Sequence, residues 1–301
     1  MKASIVEWYA RWMWPVHRLF IRLKKRCKNC ILTGELKGGL CELCRQQTNN
    51  FSTSKPHTSS PTDISKLTEA VLLLSGGKDS AYVLNRLRQE HPNLKIACVL
   101  VNTGFMSPLA IPNAVGIAQK TQTELLIVNS YIDKFKEVLR GALLKLNGRG
   151  SYGVIDFAEG NLIFEIGKQI AGERILISGM THAQLNHIDT GVDNNLIFPM
   201  DWWRIGEEEL IVANLVSGTP ATTNSTLVPM MVMLDIKNLG YCSFEPEFAQ
   251  LIRERKANRK TWLYIFELSE YLVTRGFLDK ELEKSLKNFN LTPEEVLCSP
   301  S

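Results

Sequence analysis

The stretch Val71-Leu-Leu-Leu-Ser75-Gly76-Gly77-Lys78-Asp79-Ser80 decides how the rest of the chain is interpreted. An apolar run ends at two adjacent glycines, and a helical pattern follows over Ser80–Glu90. Glycines let the backbone turn sharply and approach a ligand without a Cβ atom in the way. The N–H groups of such a turn and of the helix behind it can bind an anion. The stretch therefore predicts a phosphate-binding loop between a buried strand and a helix.

Four side chains of this loop add contacts that suit a phosphate. Ser75 and Ser80 carry hydroxyl donors, and Lys78 adds a positive charge. Asp79 can hold Mg²⁺ against a phosphate, because Mg²⁺ prefers carboxylate and phosphate oxygens. The alternative is an ordinary strand–turn–helix connection in which Asp79 or Ser80 is only the N-cap of the helix.

The residues around the loop alternate between apolar runs and helical patterns. This alternation predicts an α/β fold with a mostly parallel sheet covered by helices. The predicted strands are Ala70–Leu74, Lys95–Val101, Leu125–Val128, Arg174–Ser178 and Met230–Ile236. The predicted helices are Ser80–Glu90, Pro112–Thr121, Ile132–Leu146, Asn161–Ala171, 245–275 and 279–297.

The string SGGKDS resembles the PP-loop signature S-G-G-x-D-S of the ATP pyrophosphatase superfamily. The resemblance implies a doubly wound sheet of the PP-loop/HUP type. It also implies an enzyme that converts ATP to AMP and pyrophosphate while activating a carbonyl or carboxyl oxygen as an adenylate. In that case Ser75, Gly76, Gly77 and Ser80 cradle pyrophosphate, and Lys78 and Asp79 are the catalytic residues. Two later turns would contact the nucleotide, one through Asn102 and Thr103 and one through Gly179 and Thr181.

Four of the seven cysteines form a C-x2-C-x10-C-x2-C pattern of Cys27, Cys30, Cys41 and Cys44. Such spacing in a chain without a secretory pattern predicts a metal site, with structural Zn²⁺ held by four thiolates. An iron–sulfur cluster, a redox-active pair and four unligated thiols are the alternatives.

The segment RCKNCILTGELKGGLCELCR, placed ahead of a PP-loop, resembles the N-acetyl sugar amidotransferase family over roughly residues 26–182. That resemblance implies a nucleotide-linked N-acetyl sugar as substrate, in surface-polysaccharide or related glycan biosynthesis. It also implies ammonia as nucleophile, supplied by a glutaminase partner. The residues after 183 match no motif of that family.

Two other functions fit the same loop. PP-loop tRNA thiolases and small-molecule thiolating enzymes share S-G-G-x-D-S, but their chemistry commonly uses a reactive cysteine or a cluster near the adenylate. For this chemistry the predicted catalytic half offers only Cys98 and Cys242, and no C-x-x-C pair lies within residues 70–301. A non-catalytic nucleotide-binding module is the third interpretation, and the intact Asp79 argues against it.

Composition and charge divide the 301 residues into segments. No run approaches the ~18 consecutive apolar residues of a membrane span, and no secretory signal is evident, so a cytoplasmic location is expected. Residues 1–47 hold 10 Lys+Arg against 3 Asp+Glu, a net of +7. The predicted segments are a basic amphipathic helix (1–26), a zinc knuckle (27–47), a linker (48–66), the PP-loop domain (67–240) and a helical C-terminal region (241–301).

The basic helix, predicted as one amphipathic helix over 4–26 that Pro15 kinks or divides, has three possible partners. Aromatic residues on one face and cations on the other suit an anionic membrane surface, which would place the protein at the inner membrane face. They equally suit an apolar groove on a protein. Binding to tRNA is the third possibility and belongs to the thiolase alternative.

Overall fold

The computed structural model describes residues 3–47, 64–180, 184, 195–203, 205, 209–210, 213–217 and 225–297, without the side chains of 3–7 and 47. The chain forms two compact units. The first comprises Met1–Lys55, Arg140–Asp156 and Leu227–Ser301, and the second comprises Pro56–Leu139 and Phe157–Thr226. The second unit carries the sheet. Compact units need not fold separately, so the five segments expected from the sequence remain a prediction.

The second unit is built on a five-stranded parallel sheet with the strand order β3-β2-β1-β4-β5. Its strands are β1 (Glu69–Leu73), β2 (Lys95–Val101), β3 (Glu124–Val128), β4 (Ile175–Ile177) and β5 (Leu196–Ile197). The first four confirm the predicted strands to within one residue at each end. The sequence did not predict β5, because two apolar residues are too short a run to show a period.

Helices cover both faces of this sheet, as the alternating pattern predicts. Alternate strand residues such as Leu72 and Leu100 pack with helices α4 (Lys78–Glu90) and α5 (Ala110–Lys120). The other set, including Val71 and Val99, packs with α6 (Ile132–Leu144) and α7 (Phe157–Ala171). A short helix α8 (Pro199–Trp203) joins the first of these two cores through Met200. The doubly wound α/β architecture is therefore confirmed.

The first unit is helical, and it corrects one predicted strand. Its first helices are α1 (Ala3–Trp12), α2 (Trp14–His17) and α3 (Glu42–Gln47), and a π-helical turn covers Tyr152–Asp156. The remaining helices are α9 (Leu227–Leu239), α10 (Glu245–Arg253), α11 (Arg259–Thr274), α12 (Asp279–Lys287) and α13 (Pro293–Val296). The predicted strand Met230–Ile236 is wrong, because these residues lie inside α9. Its apolar run is buried helix, which periodicity alone does not separate from a buried strand.

Two long predicted helices are each divided in the structure. The pattern over 245–275 becomes α10 and α11, which are separated where Arg255 adopts a φ of 58°. Asn258 then caps α11, its side chain accepting a hydrogen bond from the Thr261 N–H. The pattern over 279–297 likewise breaks near Asn290, whose φ is 53°. Left-handed residues end helices, and the apolar pattern does not reveal them.

The N-terminal helix is shorter than predicted. Helix α1 ends at Trp12 and α2 starts at Trp14 with Pro15 in its first turn, so the predicted division at Pro15 is confirmed. A 3₁₀ turn covers Arg18–Phe20, and Ile21 then adopts extended backbone with a φ of −124° and a ψ of 142°. Residues 21–26 are therefore not helical, and the prediction of one helix to residue 26 is wrong there. Among the described residues no helix is long and apolar enough to cross a membrane.

Candidate functional site

The predicted site residues of the second unit that the structure describes gather at one edge of its sheet. The loop Ser75–Gly77 follows β1, Asn102 and Thr103 follow β2, and Gly179 follows β4. All these strands are parallel, so their carboxyl ends lie at the same edge. The chain continues to one side of β1 through β2 and to the other through β4, which makes the β1/β4 boundary a topological switch point. Ligands of open α/β sheets bind at such a point.

The glycine loop is held by hydrogen bonds across its own turn. The Ser75 N–H donates to Oγ of Ser80 at 3.2 Å, and the two serine Oγ atoms lie 3.1 Å apart. The Gly77 N–H donates to Ser75 Oγ at 3.3 Å. Gly77 is the N-cap residue of α4, so the N–H groups of the first helical turn begin directly behind it. The N–H groups of Ser75 and Gly77 and the Ser80 hydroxyl, which donates to the Gly77 carbonyl at 3.3 Å, therefore fix the shape of the turn. The donors that this turn presents to an anion are the N–H groups of the first turn of α4.

Two glycines make this arrangement sterically possible. A Cβ atom at Gly76 would lie 1.9 Å from the Ala110 carbonyl oxygen, and the φ of Gly76 is +74°. A Cβ at Gly179 would lie 2.7 Å from the Ser80 Cα and 2.8 Å from its nitrogen. Both contacts are with backbone, which cannot rotate away as a side chain does. Gly179 therefore brings the end of β4 directly against the first turn of α4.

Asn113, in the first turns of α5, ties the loop to a later segment. Its Nδ2 donates to the Gly76 carbonyl at 3.2 Å and to the Ser217 carbonyl at 2.9 Å, and its Oδ1 accepts from the Ser217 N–H at 3.0 Å. Because the Gly76 carbonyl points toward Asn113, the N–H of the same peptide unit, that of Gly77, points the opposite way toward Ser75. No local sequence pattern reveals this contact, because its partners lie far apart along the chain.

The two charged loop residues lie at the start of α4. The Lys78 ammonium is 3.5 Å from an Asp79 carboxylate oxygen, and both side chains are partly exposed. An ion pair this exposed contributes little to stability. Both side chains are therefore accessible to solvent beside the loop, as a phosphate-binding and a magnesium-binding residue must be.

In the turn after β2, the side chains of Asn102 and Thr103 form hydrogen bonds with N–H groups of the same turn. Oδ1 of Asn102 accepts from the Gly104 N–H at 2.9 Å, and Asn102 Nδ2 donates to Asn129. Thr103 is buried, and its hydroxyl accepts from the Phe105 N–H at 3.3 Å. These side chains shape the turn, and a role in contacting adenosine remains a prediction. Thr181 lies outside the described residues.

The four predicted metal ligands lie together in the first unit. The sulfurs of Cys27, Cys30, Cys41 and Cys44 are all within 4.8 Å of one another, and all four residues are buried. The Cys30 and Cys41 sulfurs are 3.7 Å apart. A tetrahedral ion with Zn–S distances of ~2.3 Å places its sulfurs about 3.8 Å apart. The cluster thus has the size of a site for one ion. An iron–sulfur cluster ties its cysteines to different irons and needs them farther apart.

Local backbone geometry builds this cysteine cluster. The turn Lys37–Leu40 closes with hydrogen bonds in both directions, and its two glycines have φ values of 63° and 83°. The Cys41 N–H donates to the Cys27 sulfur at 3.4 Å. Burial opposes ionisation of that thiol, but backbone N–H donors outweigh it and lower the pKa of Cys27 to about 6. Burial raises the pKa of Cys30 to about 11. A bound cation would offset that burial penalty, since a thiolate is the ligand form.

Arg259, which the sequence did not single out, supports the cluster from α11. Its Nε donates to the Cys30 carbonyl at 2.6 Å, and its Nη2 donates to the Cys27 carbonyl at 2.7 Å. The guanidinium therefore fixes the backbone that carries the first pair of ligands. The remaining described cysteines, Cys98 and Cys242, are buried thiols. Burial raises the pKa of Cys98 to about 12 and also raises that of Cys242, so neither is a ready nucleophile.

Among known proteins, sequence similarity to this chain extends over only part of its length. No protein-family model matches the chain. An uncharacterised protein of Methanocaldococcus jannaschii is 35% identical over 71 residues, which are 23% of this chain and 25% of that protein. The match thus spans about a quarter of the length of that relative.

Two solved structures show a distant likeness. The U34-tRNA thiolase NcsA of Methanococcus maripaludis, solved with its [4Fe-4S] cluster, has 18% identity and a TM-score of 0.39 over 93% of each chain. The glutamine-dependent NAD+ synthetase of Acinetobacter baumannii, solved with ADP, has 14% identity and a TM-score of 0.33. That match covers 79% of this chain and 43% of the synthetase. Likeness this distant does not assign a function to the chain.

Proposed function

We propose that the protein is a PP-loop ATP pyrophosphatase, which converts ATP to AMP and pyrophosphate while adenylating its substrate. The observation that carries this proposal is the rigid glycine loop Ser75–Ser80, which leads into the N-terminus of α4 at the sheet switch point, with Gly179 packed against that helix. Phosphate groups are bound where backbone N–H groups and a helix N-terminus converge. The string SGGKDS stands in that turn, so the sequence resemblance and the local geometry agree.

Each loop residue then has one task. Ser75, Gly76, Gly77 and Ser80 hold the β and γ phosphates as pyrophosphate charge develops, which stabilises the transition state electrostatically. Lys78 adds positive charge to the same oxygens. Asp79 is the proposed ligand of Mg²⁺, which would neutralise phosphate charge and orient ATP. Asn102, Thr103, Gly179 and Thr181 are proposed to line the nucleoside end of the site.

The second half of the reaction is attack on the adenylate by a nucleophile. We propose ammonia from a glutaminase partner and a nucleotide-linked N-acetyl sugar as substrate, as the resemblance over residues 26–182 implies. The buried state of Cys98 and Cys242 supports an external nucleophile over a protein persulfide. Sulfide transfer to tRNA or to a small molecule is the rival outcome, which product analysis with sulfide in place of ammonium distinguishes.

For the cysteine cluster we propose a single structural Zn²⁺ ion bound by Cys27, Cys30, Cys41 and Cys44. The 3.7 Å separation of two sulfurs and the 4.8 Å limit for all four fit one tetrahedral ion. The ion would crosslink a segment that has few apolar residues of its own, so binding energy becomes folding energy.

The test is a product analysis with purified full-length protein, Mg²⁺ and ATP. Separate reactions contain nucleotide-linked N-acetyl sugars or bulk tRNA, each with ammonium or with sulfide. The proposal expects AMP and pyrophosphate with ammonium and a sugar acceptor, and no AMP from Asp79→Ala. AMP formed only with sulfide and tRNA would favour the thiolase alternative. Formation of ADP and phosphate, or normal turnover by Asp79→Ala, would overturn the site assignment.

A further inference from the structure

The N-terminal helices are fixed to the first unit along one face. Trp14 is fully buried, and its indole N–H donates to Glu267 of α11 at 3.2 Å. Arg18 forms two hydrogen bonds of 2.7 Å to the same carboxylate. Ala10 and Trp14 pack in one apolar cluster with Leu268. One face of residues 8–20 therefore packs against α11 of the same chain. The opposite face is exposed to solvent.

That other face is apolar and exposed. Its large side chains recur mostly at three- and four-residue spacing through α1, α2 and the 3₁₀ turn Arg18–Phe20, as expected for neighbours on one helical face. The exposed fractions are Trp8 56%, Trp12 63%, Val16 61%, Leu19 73% and Phe20 82%. Five exposed large apolar side chains within residues 8–20 are more than the scattered single exposures normal for a protein surface. They mark an interaction surface, which we call the apolar ridge.

The charge around the apolar ridge has one sign. No Asp or Glu occurs between Glu7 and Glu35. Within that interval Arg18, Lys24 and Arg26 bind glutamates of the first unit. Arg11, Arg22 and Lys25 are exposed to solvent. Lys28, beside the cysteine cluster, is a further exposed cation of this interval. Between Glu7, which directly precedes the ridge, and Glu35 the segment therefore carries only positive charge, which favours an anionic partner.

We propose that the apolar ridge and its cations bind the surface of an anionic lipid bilayer. Tryptophan, leucine and phenylalanine can enter the boundary between headgroups and acyl chains, while Arg11, Arg22 and Lys25 meet lipid phosphates. The proposal needs no spanning helix, because the ridge lies in the plane of the interface. It does not depend on the chemistry of the glycine loop.

Two other occupants fit the ridge less well. A second copy would place the same cations against each other in a two-fold interface, where they repel. RNA would satisfy the cations and stack on tryptophan, but Val16 and Leu19 have no flat face on which a base stacks. A hydrocarbon boundary accepts aliphatic and aromatic side chains alike, and its phosphates match the cations.

The test is co-sedimentation of the full-length protein with vesicles. Phosphatidylcholine vesicles are compared with vesicles that also contain phosphatidylglycerol, at low and at high salt. We expect at least about tenfold stronger binding to the anionic vesicles at low salt, and weakening at high salt. Binding to the two kinds of vesicle that does not differ, or no binding to either, would overturn the proposal.

Variants locate the contact on the ridge. Leu19→Ser combined with Phe20→Ser should weaken anionic vesicle binding about tenfold or more, because two inserted side chains are lost. The matched control is Leu126→Ser, which changes an exposed leucine on β3 and should leave binding unchanged. Replacing Arg11, Arg22 and Lys25 by Gln should remove the preference for anionic lipid. The matched control removes three exposed cations, Lys136, Arg140 and Lys145, by the same change and should keep that preference.

The ridge variants alter exposed side chains, so circular dichroism should show them folded. Vesicle binding that survives both ridge variants would contradict the assignment. A second result would also contradict it: a wild type that is dimeric by light scattering, and a Leu19→Ser and Phe20→Ser double variant that is monomeric but binds vesicles as the wild type does. Both results would give the ridge a different occupant.

Discussion

Substitution of Gly179 by alanine tests the packing that seats the phosphate loop. The new Cβ would lie 2.7 Å from the Ser80 Cα, 2.8 Å from the Ser80 nitrogen and 3.1 Å from the Asp79 carbonyl carbon. Ordinary contact begins at 3.4 Å, so the closest pair is 0.7 Å too near. All three neighbours are main-chain atoms. Relief therefore requires that the end of β4 or the first turn of α4 moves.

The size of this movement sets the expected loss. A misplacement of about 1 Å at a reacting group can lower activity about 10²-fold. We therefore expect Gly179→Ala to weaken Mg-ATP binding between about tenfold and 10²-fold. Overpacking of this kind also lowers the free energy of unfolding by about 1–3 kcal/mol. The variant should remain folded, because the change lies at the sheet edge and leaves the apolar cores intact.

The assay is isothermal titration calorimetry with Mg-ATP, with urea unfolding as the stability measurement. The matched control is Gly116→Ala on α5, where no heavy atom lies within 4 Å of the new Cβ. That control should bind ATP normally and gain about 0.4–1 kcal/mol of stability. Wild-type affinity in Gly179→Ala would refute the argument, because it would show that the contact between β4 and α4 does not position the loop.

Three further predictions test the rest of the structure. Cys41→Ser should lower the zinc content from about one ion per chain to near zero, measured by metal analysis, whereas Cys98→Ala should keep it; iron in the wild type would contradict the zinc assignment. Arg26→Gln should lower the free energy of unfolding in urea by about 3–5 kcal/mol, because it leaves the buried Glu245 carboxylate without its cation, whereas Glu270 keeps its ion pair with Lys24. The loss in stability should grow from pH 5 to pH 8. Burial raises the pKa of Glu245, and without Arg26 the ionised carboxylate that forms as the pH rises has no cation to offset its burial. The control Lys37→Gln removes an exposed ion pair with Glu35 and should lower the free energy of unfolding by at most about 1 kcal/mol. A loss as large as that of Arg26→Gln would show that burial does not set the cost. Asn113→Ala should weaken ATP binding in calorimetry with little change in unfolding, and unchanged binding would show that the Gly76 carbonyl needs no anchor.

Much of the sheet could be predicted because its strands are short, apolar and bounded by glycine or polar turns. The pattern around Val71 gives the strand, the loop and the helix in their observed order. The run Met230–Ile236 was misassigned because it is buried on a helix, so it lacks the period of an amphipathic element. Inside it, buried Asp235 accepts hydrogen bonds from the Ser151 and Ser243 N–H groups at 2.7 and 2.8 Å. Such partners are distant in sequence and leave no local pattern.

In the candidate sites, too, local sequence patterns do not reveal contacts between residues that are distant along the chain. The four cysteines and the SGGKDS loop are visible as spacings, because their ligating groups are close together in the chain. The contact of Gly179 with Ser80 and that of Asn113 with Gly76 depend on how strands and helices pack. The N-terminal pattern predicts an apolar helix face, but not that Trp14 is buried while Trp12 is exposed. That choice is made by α11, whose Glu267 accepts the Trp14 N–H.

Competition between ATP and pyrophosphate tests the central claim most directly. Labelled ATP is equilibrated with the protein and Mg²⁺ in a dialysis cell, and unlabelled pyrophosphate is then added. If the turn Ser75–Ser80 cradles the β and γ phosphates, one ATP binds per chain, pyrophosphate displaces it, and Ser75→Ala with Ser80→Ala weakens both ligands. Failure of the folded protein to bind ATP, or ATP binding that neither pyrophosphate nor the serine variant affects, would contradict the account.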